Sequence, residues 1–401
     1  MTEISDFGAI ILVVASACFL ALLGRAITER FAIPSAALFL VAAAAASDLF
    51  PGLRDAISFV TVERIGVVAL IVILFDGGLD IGWRRFRSAA VPILSLGVLG
   101  TFATAGLIAL AAHELLGLSW TTSGLLGAAL APTDPAVTFS VLGGREIIGR
   151  TGTILKGESG ANDPVGIALM IGMIELATSD DGSFWTVVSE FAVEMVGGLA
   201  VGAAGAFLLL PLLRRVPLPS PALYPLRMLA AAGVIYGAAT LVHGSGFLAV
   251  FTAGILLGDR PLPHRTEVDG FLSSLGSLAE IVMFAALGLT IDLTELLETD
   301  AWLEGLVLAA LLAFAFRPLV VGALLLPVRL ERAERLFVMW SGLKGAVPIL
   351  LASLALIGGV EDGMEIYGIV FVVVLFSVLV QGTLVPTVAE RLGVPMGRQV
   401  E

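Results

Sequence analysis

The run Gly157-Glu158-Ser159-Gly160-Ala161-Asn162-Asp163-Pro164 stands at the head of an apolar stretch, Val165 to Ala177. Together they are long enough to cross a bilayer, so two carboxylates, an amide and a hydroxyl are carried to membrane depth. Ionisable groups are costly there, and a functional role is the default reading. On a helix Ser159 and Asp163 share one face, while Glu158 and Asn162 share another about 100° round. Two adjacent polar faces imply two different partners.

The rest of the chain agrees with a membrane setting. Hydrophobic residues make up 58% of 401 positions and charged residues 14%, with a mean hydropathy of +1.02. No ordinary water-soluble domain has that balance, so the chain reads as an all-α polytopic membrane protein with the lipid bilayer as its solvent. Hydropathy windows place about thirteen spans, centred on Val14, Val41, Val72, Ala103, Ala131, Met170, Gly202, Val234, Phe251, Phe284, Phe314, Pro348 and Leu375. The single cysteine, Cys18, excludes an intramolecular disulfide, and the acidic start with Glu3 and Asp6 is unlike a signal peptide. A net charge of -12 argues against nucleic acid as a partner.

Alternate loops carry the basic residues: Arg25 and Arg30; Arg84, Arg85 and Arg87; Arg145, Arg150 and Lys156; Arg214, Arg215 and Arg227; Arg260 and Arg265; Arg329, Arg332 and Arg335; Arg391 and Arg398. The positive-inside rule makes those loops cytoplasmic, with the N-terminus outside and the C-terminus inside a plasma or inner membrane. The opposite loops are mostly acidic, with Asp180 and Asp181, then Asp292, Glu295, Glu298 and Asp300, then Glu361, Asp362 and Glu365, and hold only Arg54 and Arg64 as exceptions. Arg317 and Lys344 fit neither set, because both fall deep in apolar runs and need a buried partner or a watery cavity.

Span five contains Ala131-Pro132-Thr133-Asp134-Pro135, where two prolines should interrupt the helix at Thr133 and Asp134 and free backbone carbonyls as cation ligands. Asp134 is alternatively a plain N-cap before Pro135. Span twelve is interrupted at Gly342-Leu343-Lys344-Gly345-Ala346-Val347-Pro348. Two broken spans are the mark of an inverted repeat, and Asp134 and Lys344 could neutralise the ends of facing half-helices. A kink with a snorkelling lysine is the plainer alternative for Lys344. For Arg317 the candidate carboxylates are Glu158, Glu190, Glu194 and Glu280. Glu158 is favoured, because pairing it spares the neighbouring Asp163 a lone negative charge. Glu190 and Glu194 suit a cavity mouth or subunit interface, and Glu280 is unassigned.

Asp163 is then the carboxylate available to a ligand, its alternative being an N-cap before Pro164. With Ser159, Asn162 and Thr133 it offers oxygens to a monovalent metal cation such as Na⁺ or K⁺. Proton and cation would compete for one carboxylate, and only its neutralised form would cross the dry barrier. One cation would exchange for one proton, since position 162 is Asn rather than a second Asp.

At these residues the chain resembles the monovalent cation:proton antiporters, in the NhaP and Na⁺/H⁺-exchanger branch. Leu74-Phe75-Asp76-Gly77-Gly78-Leu79 and Ser159-Gly160-Ala161-Asn162-Asp163-Pro164 resemble its bacterial K⁺/H⁺ subgroup. The resemblance implies an NhaA-like fold of about thirteen helices in two inverted repeats of about six, with discontinuous crossing helices. It implies a transporter rather than an enzyme: a homodimer in pH homeostasis, alternating access, electroneutral exchange, and no cofactor or organic substrate. Its ion site would be Asp163 with Thr133, Ser159 and Asn162, and Glu158 would pair with Arg317. Members typically carry Arg where this chain has Lys344 and an amide is expected where it has Glu280, so a compensating Glu280 to Lys344 pair is expected.

The antiporter domain would cover residues 1–391, with repeat one over 7–178, a linking span over 184–210 and repeat two over 222–391. Residues 392–401 would form a short cytoplasmic tail without a soluble regulatory domain. The rival readings are an intramembrane aspartyl protease built on Asp134 and Asp163, and a channel or sensor on the same fold. The protease has no need of buried Arg317 and Lys344.

Overall fold

A computed structural model describes residues 19, 34–50, 52–53, 57–142, 145–179 and 184–398. The span expected around Val14, with Cys18, lies outside them, as do Arg25, Arg30, Arg54, Asp180 and Asp181. Every span centre from Val41 onward falls on a helix or on a break between two helices.

Ser58 starts the first long helix by accepting the Thr61 N–H, so that α1 (Ser35–Leu49) is followed by α2 (Phe59–Leu94). A π segment (Ser95–Gly100) and α3 (Thr101–Leu116) continue it. The apolar stretch Phe59–Leu116 covers 58 residues. At 1.5 Å per residue that is about 85 Å, too long for one crossing. Gly82 resolves this: its φ of 65° breaks the helix, a conformation that favours a residue without a Cβ. Then follow α4 (Trp120–Leu130), α5 (Pro135–Ser140), α6 (Arg150–Thr178), α7 (Phe184–Arg215), α8 (Leu223–Leu241), α9 (Gly246–Gly258) and α10 (Arg265–Gly288). The chain continues through α11 (Leu293–Glu298), α12 (Ala301–Leu311), a π segment (Leu312–Phe316), α13 (Arg317–Leu324), α14 (Arg332–Trp340), α15 (Ala346–Ile357), α16 (Gly363–Phe376), a third π segment (Ser377–Gly382) and α17 (Thr383–Leu392).

Among the described residues five stretches are long and apolar enough to cross a membrane: Phe59–Leu116, Val187–Arg215, Arg265–Gly288, Ala301–Leu324 and Gly363–Leu392. Spans five and twelve fail that length test because each is split by unwound chain, at 131–134 and 341–345. Helices close on one another through small residues, as lipid-exposed bundles require. A Cβ on Gly254 of α9 would meet the Phe75 carbonyl of α2 at 2.6 Å.

The helical reading of the sequence omits one feature, an antiparallel ribbon of β1 (Arg145–Ile147) with β2 (Met396–Arg398). It ties the loop after α5 to the chain after α17. Further contacts join the basic loops at the same end: Lys156 with Asp80 (2.6 Å), the Arg84 N–H with Asp259 (2.6 Å) and Thr151 with Glu334 (2.7 Å). At the other end Thr294 bonds Asp48 and Thr122 bonds Asp362. The basic and acidic loops therefore occupy opposite faces.

Candidate functional site

The two unwound segments lie against each other. The Asp134 N–H donates to the Leu343 carbonyl at 2.8 Å, and Thr138 Oγ1 donates to the Ser341 carbonyl at 3.1 Å. Lys344 Nζ donates to the carbonyls of Ala131 (2.9 Å) and Pro132 (2.8 Å), which lie just beyond the C-terminal end of α4. That end carries partial negative charge, so an ammonium group is stabilised there. The Asp134 side chain packs on Gly345, the N-cap of α15, at the opposite kind of helix end. A side chain at position 345 would overlap that carboxylate.

α6 supplies the second layer. Glu158 and Arg317 are 2% and 7% exposed and form a two-pronged pair: Nη1 donates to Oε1, and Nη2 to Oε2 at 3.0 Å. Nη2 also reaches the Val338 carbonyl at 3.3 Å. The absent Cβ of Gly342 makes room for the guanidinium. On the neighbouring face Ser159 Oγ donates to the Thr133 carbonyl, and Asn162 Nδ2 donates to Thr133 Oγ1 at 2.8 Å. Asp163 is buried beside them, and its Oδ1, like that of Asn162, has no hydrogen-bond partner among the described residues. A buried acceptor left in that state is costly unless a ligand or proton meets it.

Ser159, Asp163 and Asp134 line a cavity of about 600 Å³. Asp76 and Asp80 of α2, Asp259 after α9, and Asp269 and Glu280 of α10 line it too, with Arg85, Lys156 and Arg265 from the basic face. Carboxylates outnumber basic groups, so its field draws cations inward. Arg265 is held by Asp269 at 2.7 Å, and Lys156 by Asp80. A second cavity of about 550 Å³ opens among Asp292, Glu295, Asp300 and Glu365 and shares no lining residue with the first.

The expected Glu280 to Lys344 pair is not formed. Lys344 is turned to the α4 carbonyls, because bare helix-end oxygens lie within reach of its ammonium, while Glu280 faces the cavity from α10. Glu190 and Glu194 of α7 do not line it. Sequence reasoning assigned nothing to Asp76, Asp80 or Asp269; a carboxylate inside the apolar run Val67–Leu79 was the available signal for Asp76. Ser377 and Gln381 were also missed. Among the described residues no group of three or more His, Cys, Asp or Glu is arranged around a metal. One carboxylate among neutral oxygens suits a monovalent hard cation better than zinc or another transition metal.

Residues 17–391 match the family model described as sodium/hydrogen exchanger, transmembrane. The K(+)/H(+) antiporter NhaP of Alkalimonas amylolytica is 38% identical over 82% of this chain and 57% of its own length. The K(+)/H(+) antiporter NhaP2 of Shewanella sp. (strain ANA-3) is 34% identical over 91% of this chain and 63% of its own. This chain thus spans about three fifths of the length of those relatives. The structure of the sodium proton antiporter MjNhaP1 from Methanocaldococcus jannaschii at pH 8 superposes with a TM-score of 0.79 at 23% identity. That match covers 98% of this chain and 99% of the other, a likeness of fold.

Proposed function

Since the chain belongs to the sodium/hydrogen exchanger transmembrane family, we propose that it is a secondary antiporter exchanging K⁺ or Na⁺ for H⁺ through Asp163. The observation that carries this reading is the partnerless Oδ1 of Asp163 beside an acid-lined cavity and next to two crossed helix breaks. A cation drawn down the cavity meets the Asp163 carboxylate, the Ser159 hydroxyl, the Asn162 amide oxygen and the oxygens of Thr133. A proton competes for the same carboxylate. Glu158 and Arg317 cancel each other, and Asp134 and Lys344 answer the half-helix ends, so the charge of Asp163 decides whether the site can cross.

Exchange is one for one and electroneutral, because Asn162 adds no second titrating group. The neutralised site moves between the two faces by alternating access, and this conformation is open to the basic one. That face is cytoplasmic by the positive-inside rule. The fold comprises about thirteen spans in two inverted repeats. The working unit in the plasma membrane is a homodimer. The relatives named above, two K⁺/H⁺ antiporters, support the reaction class.

The test is flux in proteoliposomes given Na⁺, K⁺ or Li⁺ gradients, with and without a voltage clamped by ionophore. Cation-driven proton movement that is indifferent to voltage is expected. A voltage-dependent rate would overturn the stoichiometry, and Asp163→Asn retaining exchange would remove the carrier.

A further inference from the structure

The last span carries a buried polar pair that the exchange scheme leaves unused. Ser377 and Gln381 lie four residues apart in the π segment Ser377–Gly382 and are 2% and 4% exposed. Groups of this kind within an apolar run are costly unless satisfied. Here each is satisfied by the unwound segment of span twelve. Ser377 Oγ accepts the Lys344 N–H at 2.8 Å and donates to Gln381 Oε1 at 3.3 Å. Gln381 Nε2 donates to the Trp340 carbonyl at 2.7 Å. One side-chain pair therefore grips the segment at both ends, at the carbonyl of residue 340 and the amide of residue 344. A π turn, rare in helices and frequent at functional sites, gives this stretch its geometry.

The grip reaches the ion site through Lys344. Its ammonium holds the Ala131 and Pro132 carbonyls. The next residue is Thr133, whose carbonyl accepts Ser159 Oγ and whose hydroxyl accepts Asn162 Nδ2. The distance of the Thr133 oxygens from Asp163 is thus set by a chain of contacts that begins on the last span. Alkali cations take the same oxygen ligands and are told apart by the size and rigidity of the cage. Resting on the antiport reading above, we propose that Ser377 and Gln381 are positioning residues that set the size selectivity of the cation site. Neither touches the cation. They act by holding the crossing at a fixed spacing from α6.

The readout is the ratio of apparent KM for K⁺ to that for Na⁺ or Li⁺ in proteoliposomes, which does not depend on how much protein is folded. Ser377→Ala and Gln381→Leu should each move that ratio by at least about threefold, a shift within reach of a small change in fit. Ser377→Thr keeps a hydroxyl and should restore the ratio. Thr383→Ala is the control, since its exposed hydroxyl bonds, among the described residues, only the carbonyls of Leu379 and Val380 in the turn before it and not the unwound segment, and should leave the ratio alone. Variants that exchange at any rate with the wild-type ratio overturn the inference, and Ser377→Ala decides it if Gln381→Leu does not reach the membrane. Wild-type protein without exchange would instead overturn the antiport reading. The two failures are distinct.

Discussion

Removing one partner of the Glu158 to Arg317 pair should damage the fold more than removing both. The carboxylate is 2% exposed and the guanidinium 7%, and two N–H groups meet two oxygens, so water stabilises neither charge. Breaking such a pair leaves an uncompensated buried charge and costs about 3–5 kcal/mol, whereas replacing both members by apolar side chains is often neutral. Glu158→Met leaves Arg317 with only the Val338 carbonyl among its present acceptors. Arg317→Met leaves Glu158 with none of the donors it has now. The double variant should therefore return to within about 1–2 kcal/mol of wild type, a coupling of at least about 4 kcal/mol and larger than is usual for residues in contact. The assay is thermal unfolding of detergent-solubilised protein followed by tryptophan fluorescence, with both singles, the double and the wild type at one concentration. Both singles should unfold several degrees earlier than the double. A double variant as unstable as the sum of its singles would refute the reasoning, because the two charges would then be solvated independently.

Gly345→Ala should lower stability by about 1–3 kcal/mol through overpacking and abolish exchange, since the new methyl falls on the Asp134 carboxylate, while Gly106→Ala, with open space around it, should do neither; thermal unfolding and flux on the same samples check this. Lys156→Gln should change the unfolding temperature hardly at all, because the Lys156 and Asp80 side chains are 25% and 46% exposed and pairs of that kind contribute under about 1 kcal/mol. On the exchange scheme proposed above, in which the proton competes for the cation's carboxylate, apparent KM for the cation should rise as pH falls, with maximal rate recovered by more cation; a KM constant across pH in proteoliposomes would separate the two sites.

Several features were legible without coordinates because they are local. Hydropathy alone assigns the membrane, since each apolar run must satisfy its own backbone in lipid. The breaks at 131–134 and 341–345 follow from Pro132, Pro135 and a Gly-rich run, whose effect on a helix is exerted within one turn. The polar face of α6 is read from spacing, because Ser159 and Asp163 are one turn apart wherever that helix is placed. Sequence reasoning favoured Glu158 among the four glutamates offered to Arg317, but tertiary structure alone joins the two, turns Lys344 to the Ala131 and Pro132 carbonyls instead of Glu280, and sets Ser377 and Gln381 under the crossing. It also gathered Asp76, Asp80, Asp269 and Glu280 around one cavity. These pairings join residues far apart in the chain, and they depend on how helices rotate about their axes once small residues let them close. A helical period states which residues share a face but carries no statement of which faces meet.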